Sequence, residues 1–250
     1  KSLNWWKGIV MGLPAWTGVI AALVICALVG VLVELVAYRP VRRKGTSMSA
    51  LITAIAMSLL LENLAQAIPA MGPNPRVISD EIFSTAPMSL GGVSVNMAAV
   101  ITIVIAAVVM AALQIFVQKT KLGRAMRAVS ENKEASTLVG INVNRTIVTT
   151  FPIGSRLAAA AALMYCSQYH TVTTTIGSML GLKAFVAAVM GGIGLIPGAM
   201  LGGIVVGIIE ALVTAYISSS LANAVVFLIL IVMLLVKPAG ILGKNVGEKV

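Results

Sequence analysis

Charge is scarce in this chain. Charged residues are 10% of its 250, and Asp and Glu together number 8, against roughly a quarter charged in a soluble domain. Histidine occurs once, at His170, with no Cys or Ser partner at a motif spacing, so no nucleophile–base set can be assembled. The two cysteines, Cys26 and Cys166, lie inside apolar runs and read as small buried hydrophobes, not as a disulfide or a metal pair. No Walker sequence, HExxH or strand-borne GxGxxG occurs, and the GGIG at 191–194 lacks the lysine of a phosphate loop. No catalytic residue, metal ligand or cofactor is therefore expected. Aromatics are only 5%, so the net charge of +10 has few rings to accompany it in stacking on bases. Nucleic acid is not an expected partner.

What the chain has is hydrocarbon. Hydrophobic residues make up 59%, in runs too long and unbroken for the alternating strands of a membrane barrel. The expected fold is all-α: a single polytopic transmembrane bundle over 1–250, with a broken glycine-rich segment. Spans are expected at about 14–37, 48–68, 96–117, 146–167, 182–190, 198–217 and 221–236. Residues 1–13 are short and amphipathic, and Trp5, Trp6 and Trp16 suit a membrane interface.

The cations orient the bundle. Arg39, Arg42, Arg43 and Lys44 follow the first span. Lys119, Lys121, Arg124, Arg127, Lys133 and Arg145 crowd one later loop, and Lys237, Lys244 and Lys249 close the chain. The loops at 69–95 and 168–181 carry only Arg76 between them. The positive-inside rule places the cation-rich loops in the cytosol.

Residues 119–145 form the longest polar run, KTKLGRAMRAVSENKEASTLVGINVNR. They read as a short helix with marked ends. Ser130 is the expected N-cap, Glu131 and Glu134 place negative charge in the first turns, and Gly140 stops the helix. Ala135, Leu138 and Val139 give a small apolar face. The run is either a solvated connector or a handle for a soluble partner.

Three ionisable groups fall well inside the spans: Glu62, Arg156 and Glu210. Such groups usually face a bundle interior or water. Arg156 and Glu210 match in depth and sign and are a candidate pair. Glu34 lies near the interface beside Arg39 and reads as an orienting charge. The segment GGIGLIPGAMLGG at 191–203 is expected to break a helix, because non-helical backbone at membrane depth needs protein or a wet cavity beside it. Gly191, Gly192, Gly194, Pro197 and Gly198, with Glu62 and Glu210, therefore line either a tight helix junction or a translocation path.

Several stretches resemble one family in order along the chain. ELVAYRPVR at 34–42, LGRAMRA at 122–128, GLKAFVAAVMGGIGLIPGAMLGG at 181–203, Glu210-Ala-Leu and PAGILG at 238–243 are similar to the branched-chain amino acid permeases of ABC transporters. The resemblance implies a subunit driven by two cytoplasmic ATPases, beside a second homologous permease and below an external solute-binding protein. It implies that the polar run is the ATPase-coupling loop, with Arg124, Arg127, Glu131, Glu134, Ala135 and Gly140 at the contact. Glu134-Ala135-Ser136-x-x-x-Gly140 resembles the docking motif of importer permeases, with Ser136 where the strict pattern has Ala. Arg156 stands where the family has a small apolar residue. Family members carry further apolar spans before the position of Lys1, so the chain is expected to be N-terminally truncated. An importer permease of the same fold for another small solute, such as urea or a short amide, is the alternative. An ion-coupled transporter titrating Glu62 or Glu210 is a further one.

Overall fold

The computed structural model describes residues 15–44, 47–68, 74–77, 88–90, 93–169, 171–192, 194–237 and 239–243. The amphipathic start, most of the loop at 69–95, His170, Lys244 and Lys249 lie outside them.

A helix lies over each of the seven apolar segments. Helix α1 (Ala15–Val33) runs through a π-helical turn, Glu34–Tyr38, into α2 (Arg39–Lys44). Then come α3 (Ser47–Ala67) and α4 (Met97–Lys119), the latter capped by Asn96, whose side chain accepts from the Ala98 N–H at 3.0 Å. The polar run holds α5 (Lys121–Glu131) and α6 (Lys133–Leu138). Helices α7 (Val143–Tyr169), α8 (Ile176–Gly191), α9 (Ile196–Tyr216) and α10 (Ser219–Val236) complete the chain. Among the described residues, five helical stretches are long and apolar enough to cross a bilayer, and α8 and residues 52–67 are shorter apolar helices. Many of their exposed residues, such as Ile52 and Ile103, are aliphatic, as suits a lipid-facing surface.

The strands are short. β1 (Arg76–Val77) pairs antiparallel with β4 (Thr171–Val172), Arg76 opposite Val172. β2 (Met88–Leu90) pairs with β3 (Val93–Val95). The loop expected at 168–181 is thus shorter than its composition suggests. Its Ser and Thr residues read as coil, yet α8 begins at Ile176, and the Ser178 hydroxyl donates to the Thr175 carbonyl at 2.7 Å in its first turn.

Two compact units can be distinguished: Lys1–Ala106 with Phe116–Thr174, and Ala107–Ile115 with Thr175–Val250. In the first, α1 packs along α7. They close at Gly30, where a methyl group would collide with the Ser155 side chain. Helix α7 carries Pro152 in its interior, which cannot donate to the carbonyl one turn back. The Thr149 and Thr150 hydroxyls bond back to helix carbonyls just before it, a pattern that bends helices.

In the second unit α8, α9 and α10 pack on one another around Val186, Ala187, Met190, Val206 and Val226. A side chain at Gly202 would overlap the Ala187 carbonyl, and one at Gly191 the Gly198 carbonyl. Small residues let the two backbones touch, which is how helices associate where lipid removes the hydrophobic drive. The turn between them needs φ of +108° at Gly192 and +92° at Gly194, where only glycine is at ease. Residues 239–243 close over this turn: the N–H groups of Ile241 and Leu242 donate to the carbonyls of Met190 and Gly191, at 2.8 and 3.3 Å.

Candidate functional site

The polar run is built by its caps. Thr120 ends α4 and starts α5, its hydroxyl accepting from the Gly123 N–H at 3.0 Å. The expected N-cap at Ser130 is corrected. Ser130 sits inside α5 and its hydroxyl donates to the Arg127 carbonyl at 2.8 Å. Asn132 is the cap of α6, its Oδ1 accepting from the N–H groups of Glu134 and Ala135 at 2.9 and 3.0 Å. Both residue types suit a cap; extended backbone, φ −152° and ψ 114°, occurs at Asn132. Gly140 ends the helix with φ +84°. Its N–H reaches the Thr137 carbonyl and that of Ile141 reaches Ser136, both at 3.0 Å, the paired bonds of a left-handed helix stop.

The two faces of α6 differ. Ser136 is buried, and its hydroxyl donates to the Asn132 carbonyl at 2.7 Å. Helix α6 packs against α7. On the outward side Glu134 and Ala135 are exposed, Leu138 is 89% exposed and Val139 80%. Beside them is a cleft of about 300 Å³ lined by Ala128, Glu131, Asn132, Ala135, Ser136, Val139 and Ile141. Arg124, Arg127 and Glu131 are exposed on α5, and Arg127 donates to the Gln118 carbonyl at 3.3 Å.

Glu210 has a partner that the sequence reading did not name. Lys183 Nζ of α8 donates to its Oε1 at 2.6 Å, where pairing with Arg156 was expected. Arg156 is exposed on α7 and makes no ion pair with the described residues. Lys183 and Glu210 are 27 residues apart and meet only because the glycine turn folds α8 back on α9, so no local spacing announces the pair. Gly191, Gly192 and Gly198 are buried in that hairpin, Pro197 lies in the first turn of α9, and Gly194 is exposed. Glu62 is half-buried on α3, without an ion pair to the described residues.

A second site was missed altogether. Glu34, read as an interfacial charge beside Arg39, is fully buried and ion-paired with Arg42 at 2.8 Å. The π-turn holds an extra residue within the helix, a feature frequent at functional sites. Arg42 also reaches Asn144 Oδ1 of α7 at 3.4 Å, and the rings of Tyr38 and Phe151 lie 5.0 Å apart. A carboxylate in the sequence ELVAYRP has cations on its C-terminal side, and that was the only available signal.

Long apolar helices, a glycine-packed hairpin that carries an ion pair and a polar helix exposed between spans mark a multi-pass helical membrane protein. The chain belongs to the family described as branched-chain amino acid transport system / permease component, whose model matches residues 4–236. It is 43% identical over 241 residues to the high-affinity branched-chain amino acid transport system permease protein LivH of Escherichia coli K12, covering 93% of this chain and 76% of that one. It is 39% identical over 238 residues to the permease protein BraD of Pseudomonas aeruginosa, covering 92% and 75%. A shorter match, 36% over 112 residues, is to the autoinducer 2 import system permease protein LsrC of an Enterobacter species, covering 45% and 31%. No solved structure matches the chain at a significant level. The chain is thus an ABC importer permease subunit of the cell (inner) membrane, a transporter and not an enzyme.

Proposed function

We propose that this subunit forms part of the passage for branched-chain amino acids, and that α5 and α6 transmit the work of cytoplasmic ATPases to it. As an importer permease it associates with ATPases and a solute-binding protein. The finer reading is two ATPase subunits below, a second homologous permease alongside and the binding protein on the outer side. The relatives matched over nine-tenths of this chain are branched-chain amino acid permeases, whereas LsrC matches less than half. This favours the amino acid over another small solute.

The observation that carries the coupling role is the outward face of α6. Leu138 and Val139 are almost bare at the C-terminal end of a short helix capped at both ends, and an apolar patch rimmed by polar residues marks a protein contact. Ala135 is small enough for close approach, and Arg124, Arg127, Glu131 and Glu134 offer charges at its edge. Gly140 fixes where the helix ends. Glu62 in the first unit, and separately the Lys183–Glu210 pair in the second, are polar groups of the kind that apolar spans retain for a solute, and Gly191 to Gly198 set the helix junction of the second unit.

Ala135→Arg and Gly140→Pro test the coupling role. Both variants should insert into the membrane normally and lose co-purification with the ATPases. Wild-type recovery of the ATPases with both would remove α6 from the contact. Uptake of labelled leucine into vesicles holding the whole assembly and its binding protein tests the substrate. Uptake of a short amide in its place would support the other solute class.

A further inference from the structure

We propose that the cleft between α1–α2 and α7 binds the phosphate headgroup of an anionic phospholipid from the cytoplasmic leaflet. Leu35, Arg39, Asn144, Arg145, Val148 and Thr149 line a space of about 330 Å³. Two of the six are arginines, and neither is ion-paired to a carboxylate among the described residues. The ion pairs among the described residues are Arg42–Glu34 and Lys183–Glu210. Glu34, the acid nearest in sequence, is buried and already neutralised by Arg42, so the cleft keeps a net positive charge.

Arg39 is the sharper anomaly. Its Nε–H is buried and has no acceptor among the described residues, and a buried donor without a partner is costly. The residue as a whole is only half-buried, so the rest of its guanidinium borders the open cleft, with no ion pair to a carboxylate among the described residues. A planar guanidinium fork matches phosphate oxygens in pairs. Asn144 Oδ1 accepts from Arg42 at 3.4 Å, which leaves the amide N–H groups of Asn144 as further donors.

The rest of the cleft selects among phosphates. Leu35 continues a stripe with Leu32 and Leu28 along α1, at 42%, 57% and 64% exposure. The arginines thus stand at one end of an apolar track that runs away from them along the span. A free phosphate or an acidic peptide would engage only the charged end. A phospholipid engages both, its headgroup on the arginines and an acyl chain along the leucines. The position fits, because Arg39 and Arg42 mark the cytoplasmic end of this span, and basic pockets between helices on that side hold anionic headgroups.

Lipid retention by the protein in its native assembly, followed by native mass spectrometry, tests the site. Phosphatidylglycerol, phosphatidylcholine and inorganic phosphate are offered separately and in competition. Phosphatidylglycerol should be retained over phosphatidylcholine and should not be displaced by inorganic phosphate. Arg145→Gln, at an exposed position that does not endanger folding, should lower that retention roughly fivefold, and Arg39→Gln with Arg145→Gln more than about tenfold. Arg145→Lys should keep most of it. Equal retention of the two lipids, displacement by inorganic phosphate, or unchanged retention in Arg145→Gln would each overturn the assignment.

Discussion

In the unit built on α1 and α7, a close approach at Gly30 is joined by side-chain contacts: Glu34 grips Arg42, Arg42 reaches Asn144, and Tyr38 lies against Phe151. In the unit built on α8 and α9, the joint depends on side chains being absent. Gly191, Gly198 and Gly202 let backbone meet backbone, and the tail bonds to the hairpin turn through main-chain groups. The first kind of contact can lose a partner and be partly repaired by another. The second has no room to adjust, because carbonyl oxygens cannot rotate out of the way.

That contrast can be broken in order of severity. Gly202→Leu should cost about 4 kcal/mol, by forcing α9 off the Ala187 carbonyl. Thermal unfolding of the purified assembly should show it as the most damaged variant. Gly207→Ala, on the same helix with open space around it, should be neutral or stabilising by up to about 1 kcal/mol. Equal damage from the two would mean that backbone proximity is not what holds this hairpin.

Glu34→Gln should come next, at about 2–3 kcal/mol. Breaking a buried pair leaves the other charge stranded, but Arg42 keeps 20% of its side chain exposed. Glu34→Gln combined with Arg42→Gln should recover part of the loss. Without that recovery, the 2.8 Å contact would not be the source of the effect. Asn132→Ala should be mildest, at about 1 kcal/mol for a lost cap, read as faster hydrogen exchange confined to α6. Ser130→Ala should leave exchange in α6 unchanged, since its hydroxyl serves α5.

The helices were legible because their cause is local. Twenty or so apolar residues in a row satisfy their own backbone in lipid only as a helix, and every such run here is one. Gly140 was legible for the same reason, since a glycine after a short amphipathic stretch stops it whatever lies around it. Pairings across distance were not. Nothing near Glu210 points to Lys183, and Arg156 looked equally suitable by depth and sign. Ser130 and Asn132 are both cap formers two residues apart, and the choice rests on where the chain kinks between α5 and α6. The burial of Glu34 depends on a π-turn, which no periodicity reveals.

The clasp of residues 239–243 over the turn at Gly192 and Gly194 bears on how the protein is made. The ribosome delivers α8 and α9 before it delivers the segment, residues 239–243, that covers the bend between them. The hairpin must therefore enter the bilayer with the carbonyls of Met190 and Gly191 still awaiting their final donors, and only α10 brings those donors within reach. Assembly of this hairpin is finished by a segment that follows it in the chain.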